Sequence, residues 1–158
     1  MPGGATPEPS RAGRLRAPLL LAVWLLLAIE SIGGLVIFVA RLAAGSTPGE
    51  TLHVVAGLLL TAAYVAYQWR HWLRVRPVTP RLDYALGLLA AAFMALTLLT
   101  GLALGWEWLR DRVLAPTGAP VAYAPALSAI HNIGSMLVLT FAGAHLAAVL
   151  MRDRRPTH

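Results

Sequence analysis

His131-Asn-Ile-Gly-Ser-Met-Leu-Val-Leu-Thr-Phe-Ala-Gly-Ala-His145 sets two histidines fourteen residues apart in an otherwise apolar segment. Fourteen residues make four turns at the 3.5-residue period of packed helices, so both imidazoles leave one face. At ~1.5 Å per residue they stand about 21 Å apart along the axis. A second apolar segment carries His53 and His71, eighteen residues apart. That is five turns of 3.6 residues, again one face, over about 27 Å. Each of two helices thus bears a histidine toward either end.

The surroundings are those of a membrane protein. The 158 residues are 58% apolar and only 13% charged, less charge than a soluble domain carries. Four apolar runs are long enough to span a bilayer, and the breakers between them set expected helices at about 17–40, 48–76, 81–106 and 125–151. Residues 1–16, rich in Pro, Gly and Arg, read as a disordered tail. The first run is too long for a signal-peptide core and lacks a convincing small-residue cleavage site. Thr47-Pro48-Gly49-Glu50 has the form of a capping box with Pro at the first helical position. Pro77 ends the second helix. Pro116, Gly118 and Pro120 break a loop of about twenty residues, before which Trp106-Glu-Trp-Leu-Arg-Asp-Arg is expected along the membrane interface. The expected fold is all-α, an integral-membrane up-down four-helix bundle over residues 17–151, with a basic tail at 152–158.

Charge orients the bundle. All thirteen basic residues are Arg. They sit at the ends of apolar runs and not along one face, which argues for membrane topology and against nucleic acid. Ten of them fall in the N-terminal tail, the junction between helices two and three, and the C-terminal tail. The positive-inside rule therefore places both termini in the cytoplasm, in the cytoplasmic membrane of a prokaryote. Trp69 and Trp72 mark the inner interface, and Trp106 and Trp108 the outer one.

In such a bundle the second and fourth helices run parallel, so His53 and His131 pair at the outer level and His71 and His145 at the inner level. The outer pair is matched in depth. The inner pair is offset by four residues, about 6 Å, and Tyr67 is the residue level with His145. Intramembrane histidines also serve simply as hydrogen-bonding groups between helices. Four at these spacings favour a functional set, with His71, beside Arg70 and Arg74, the member nearest the headgroups.

Two facing imidazoles supply the axial pair of a haem iron and close both axial positions, which suits electron transfer. Tetrahedral zinc needs four converging ligands, and no Asp, Glu or Cys accompanies either pair at its level. With no cysteine in the chain, covalent haem attachment and iron–sulfur ligation are out. The stripes His53, Gly57, Leu60, Tyr64, Tyr67, His71 and His131, Gly134, Ser135, Val138, Ala142, His145 suit a flat ring, with Gly57, Gly134 and Gly143 admitting a porphyrin edge. Gly33, Gly34, Gly101 and Gly105 offer the same on helices one and three. Small residues equally permit close packing of membrane helices. Arg41, Arg74 and Arg110 are candidate partners for haem propionates. Glu30, in mid-helix, reads either as an interhelical hydrogen-bonding group or as a proton relay or quinone contact.

This arrangement resembles the di-haem cytochrome b membrane subunits of respiratory enzymes: cytochrome b of quinol–cytochrome c oxidoreductases, and the membrane subunits of formate dehydrogenase and nickel–iron hydrogenase. The resemblance covers residues 17–151, and its firmest element is His131-x13-His145. It implies two b-type haems, an outer one on His53 and His131 and an inner one on His71 and His145. It further implies electron transfer across the membrane, to or from a quinone, with an extracytoplasmic redox subunit or c-type cytochrome as partner. The other class to weigh is a non-redox transporter subunit or membrane anchor whose histidines line a proton or metal path. Phosphate-binding glycine loops, nucleophile elbows and zinc-protease pairs are absent from the sequence.

Overall fold

A computed structural model describes residues 17–74, 81–116 and 118–153. The N-terminal tail, Arg76 and Pro77 at the junction, and the basic residues 154–158 lie outside the described residues. Within them the chain is all-helical, in four long helices: α1 (Pro18–Ala44), α2 (Glu50–Arg74), α3 (Leu82–Leu109) and α4 (Pro125–Asp153). Each is long and apolar enough to cross a membrane, since ~20 residues suffice for a hydrocarbon core of ~30 Å. By length and composition this is a multi-pass membrane protein.

Two compact units divide the chain at Arg74 and Val75, and each contains one pair of helices. In the first, α1 packs on α2. Pro18 opens α1 at its first turn, where a missing N–H is harmless. Gly45 closes it in the left-handed conformation (φ 64°), its N–H on Arg41 O. The capping box expected at Thr47 gives way to a turn. Gly49 takes φ 76°, Glu50 N–H reaches Thr47 O at 3.3 Å, and α2 starts two residues later than Pro48.

In the second unit α3 packs on α4. The third helix does not stop at Trp106. It runs to Leu109 and continues as a π-helical turn, Arg110–Leu114. The expected interfacial segment is therefore the end of α3, and the connecting loop shrinks to about half its expected length. Glu107, Arg110, Asp111 and Arg112 are polar but helix-compatible, and the first breaker is Pro116. The loop is tied back at its far end, where Ala124 N–H, just before Pro125 opens α4, donates to Glu107 Oε2 at 3.1 Å.

Among the described residues few side chains are buried. Val23, Ala56 and Leu60 form the centre of the first pair, and Met94, Thr100 and Val138 that of the second. The remaining helix surface is rich in exposed Leu, Ile and Val, as a lipid-facing surface requires. Leu60 and Val138 belong to the two histidine-bearing stripes.

Candidate functional site

In the first unit, Gly33 and Gly34 of α1 meet His53 of α2. A Cβ at Gly34 would lie 3.2 Å from His53 Cε1, and one at Gly33 would lie 3.7 Å from Nδ1. Four residues back along α1 and four forward along α2, the roles reverse. Glu30 faces Gly57, whose Cβ would lie 3.3 Å from Oε2. Between these two contacts Glu30 Oε2 comes within 3.0 Å of His53 Nδ1. The approach is short but not aligned as a hydrogen bond, so it is a close polar contact between two half-buried side chains. Ile29, Glu30, Gly33, Val36, Pro48, Gly49, Leu52 and His53 line a half-open, mainly apolar hollow of about 150 Å³ beside it. His53 is thus level with the middle of α1. From Val36 to Ala44, roughly 12 Å of α1 continues past the turn that begins α2.

His71 lies eighteen residues further along α2, with its ring stacked on Tyr67 at 5.7 Å between centroids. Counting the same distance back along α1 from Gly34 leads to Arg16, before the helix begins. Counting fourteen leads to Leu20, opposite the level of Tyr67. The glycine seat found at His53 therefore has no counterpart in α1 at the lower level.

The second unit has seats at both levels. His131 rests against Gly101, whose Cβ would come 3.0 Å from Cε1, and His145 against Gly87, at 2.9 Å from Cε1 and 3.0 Å from Nδ1. Gly87 and Gly101 are fourteen residues apart, as are His131 and His145. In an antiparallel pair a step forward on α4 matches the same step back on α3, so one register serves both. Phe93 and Phe141 stack between the levels, 5.4 Å apart and nearly parallel.

Hydrogen bonding assigns the tautomer of both rings. His131 Nδ1 is 3.0 Å from the carbonyl oxygen of Thr97, with the Thr100 hydroxyl 3.3 Å away. His145 Nδ1 is 2.6 Å from the carbonyl oxygen of Asp83. A carbonyl only accepts, so Nδ1 donates in each case. A neutral imidazole donating from Nδ1 carries its lone pair on Nε2, the form a metal-ligating histidine takes when an oxygen holds its other nitrogen. The carbonyl of Asp83 is itself anchored, because its carboxylate pairs with Arg152 of α4 and, at 3.4 Å, with Arg81.

The other residues expected at a site fall as follows. Gly57 and Gly134 both face the partner helix of their own pair, Gly134 so closely that a Cβ would lie 2.8 Å from Thr97 Oγ1. A Cβ at Gly143 meets nothing within 4 Å. Arg110 is paired with Asp111 at 2.6 Å. Arg41 is in the last turn of α1. The side chain of Arg74 is outside the described residues. Among the described residues no three of His, Cys, Asp or Glu gather as a metal cluster; a bis-histidine pair asks for only two.

Sequence reasoning missed Gly87 and the closeness of Glu30 to His53. The first was detectable, since Gly87-x13-Gly101 repeats the spacing of His131-x13-His145. The second had no sequence signal, because nothing in the local pattern links positions 30 and 53. Protein families, curated proteins and solved structures provide no match to the chain.

Proposed function

We propose that this protein is a di-haem b-type cytochrome that carries electrons across a membrane. The observation that supports it best is the state of His131 and His145. Each ring is seated on a glycine of α3 and donates from Nδ1 to a main-chain carbonyl, so each presents Nε2 as a ligand atom. His53 is seated likewise, on Gly33 and Gly34, with the Glu30 carboxyl group 3.0 Å from its Nδ1. These donors fit a b-type haem, held by imidazoles and requiring no cysteine.

In this reading the four helices form an up-down bundle with both termini cytoplasmic, in the cytoplasmic membrane of a prokaryote. His53 and His131 hold an outer haem, and His71 and His145 an inner one, with Tyr67 as the competing inner ligand. Bound haem iron supplies one-electron exchange. The chain fixes ring orientation through the Thr97 and Asp83 carbonyls and keeps water from the site with apolar helix surface. Arg41, Arg74 and Arg110 are the candidate partners for the haem propionates. A quinone and an extracytoplasmic redox subunit or c-type cytochrome are the electron partners.

The test is the absorption spectrum and haem content of the purified, folded protein. A sharp α band and an intense Soret band on reduction, with two haems per chain, are expected. A colourless, folded preparation overturns the proposal. It would favour the second reading, a proton or metal path in a non-redox membrane protein, for which the Glu30–His53 contact beside the hollow is the supporting observation.

A further inference from the structure

The hollow beside Glu30 belongs to the first unit alone. Its walls come from residues 29–36 of α1 and from residues 48–53 around the start of α2. We propose that it is a binding site for a single hydroxylated aromatic ring, the head group of a quinol, whose hydroxyl bonds to the Glu30 carboxyl group. Naming the ligand a quinol rests on the electron partner proposed above; the seat itself needs no haem.

The polar requirement comes from Glu30. It stands near the middle of α1, its side chain 13% exposed. Oε2 is the oxygen beside His53. Oε1 is buried, and no hydrogen bond reaches it from the described residues. Neighbouring hydroxyls spend their protons on the main chain: Ser31 donates to Leu27 O at 2.6 Å and Thr61 to Gly57 O at 2.8 Å. A buried oxygen left unmatched is costly, and native structures rarely keep one. The last torsion of a glutamate is broad and two-fold, so a turn of the carboxyl group presents Oε1 to the hollow without moving α1. A hydroxyl both donates and accepts, so it completes that oxygen whether or not the carboxyl group holds its proton.

The apolar requirement comes from the walls. Gly33 and Gly49 contribute no side chain, Pro48 contributes a ring, and Ile29, Val36 and Leu52 are aliphatic. A Cβ at Gly33 would stand 3.7 Å from His53 Nδ1, an ordinary contact. His53 therefore does not demand glycine at 33, whereas an open hollow does. The volume of about 150 Å³ is that of an apolar cavity able to take one benzene ring. A hydrocarbon chain would fill it but leave Oε1 unmatched, and a sugar or glycerol head would bring hydroxyls that these walls cannot satisfy. A phenolic ring meets both demands, with any apolar tail left outside.

The experiment is equilibrium binding of tritiated decylhydroquinone, kept reduced, to the full chain in phosphatidylcholine nanodiscs, with partition into empty nanodiscs subtracted. One saturable site per chain is expected. The dimethyl ether, which keeps the ring but has no hydroxyl to donate, should bind about tenfold more weakly. Glu30→Gln retains a donor and an acceptor and should bind within about threefold of wild type, whereas Glu30→Leu should lose about tenfold. Val36→Phe, which fills the hollow from an exposed position on α1, should abolish saturation at an unchanged melting temperature. No saturable binding to wild type, or equal affinity for the ether, overturns the inference and leaves apolar partition alone; so does undiminished binding to Glu30→Leu. If Glu30→Leu does not accumulate, Val36→Phe decides in its place, and undiminished binding there overturns the inference. Colourless wild type that binds the quinol ends the haem reading and leaves this site standing. Haem-loaded wild type without saturable binding ends this inference alone.

Discussion

Gly87→Ala is the substitution that most directly probes how α3 holds its histidines. The new methyl carbon would stand 2.9 Å from His145 Cε1 and 3.0 Å from Nδ1. Carbon–carbon contacts settle at ~3.5–4.0 Å, so the ring must retreat by roughly 0.6–1.1 Å. It is pinned by the 2.6 Å bond from Nδ1 to Asp83 O. A retreat of that size stretches this bond to the limit of hydrogen bonding. Overpacking costs about 1–3 kcal/mol, and the weakened bond adds up to about 1 kcal/mol. Alanine in a helix interior returns about 1 kcal/mol. The net expectation is a loss of up to about 3 kcal/mol, together with loss of one haem per chain. Gly143→Ala is the matched control on α4. Nothing lies within 4 Å of its Cβ, so it should be neutral or stabilising by up to ~1 kcal/mol. Thermal unfolding in detergent and haem content by pyridine haemochrome read both quantities. Gly87→Ala protein with two haems and the stability of Gly143→Ala would refute the reasoning that the glycine seats the ring.

Other substitutions test other parts of the structure. Gly134→Ala should lower stability, because its Cβ would meet Thr97 Oγ1 at 2.8 Å, yet leave both haems in place; measured haem loss would show that Gly134 borders a porphyrin. Glu107→Ala removes the acceptor of Ala124 N–H at the start of α4 and should cost about 1 kcal/mol, as loss of a helix cap does, with faster amide exchange at residues 124–128 as the readout. His71→Ala should lose the inner haem while Tyr67→Phe keeps it; the reverse outcome in haem content transfers the ligand role to Tyr67. Because the sequence has no cysteine, single-cysteine labelling is clean. Ser46→Cys should react with an impermeant reagent from outside intact cells and Thr157→Cys only after lysis, and the opposite pattern would invert the topology.

The number and extent of the helices were legible because apolar runs of more than twenty residues are punctuated by Pro18, Pro48, Pro77, Pro116 and Pro125. The misjudged boundary, at Trp106, came from treating charge as a break in the helix. Glu107 and Asp111 are polar but leave the backbone free to continue, and only Pro116 stops it. The four histidines were visible from spacing alone. Their environment was not, because the oxygens at Nδ1 come from residues 23, 34 and 62 positions away, a distance set by how the helices pair. The same holds for the small residues. Gly87, Gly101, Gly134 and Gly143 look alike in the sequence, and only the neighbouring helix separates a ring seat from a packing contact or an open position.

The equal steps of Gly87–Gly101 and His131–His145 make α3 and α4 a pair of matched rulers. Adding one residue between 88 and 100 would swing one of the two small residues roughly 100° around its axis, leaving an imidazole facing a bulky neighbour. Length changes in either ruler are therefore tolerable only when the other changes by the same amount. Over long divergence, the interior of this hairpin should vary in side chains but not in length.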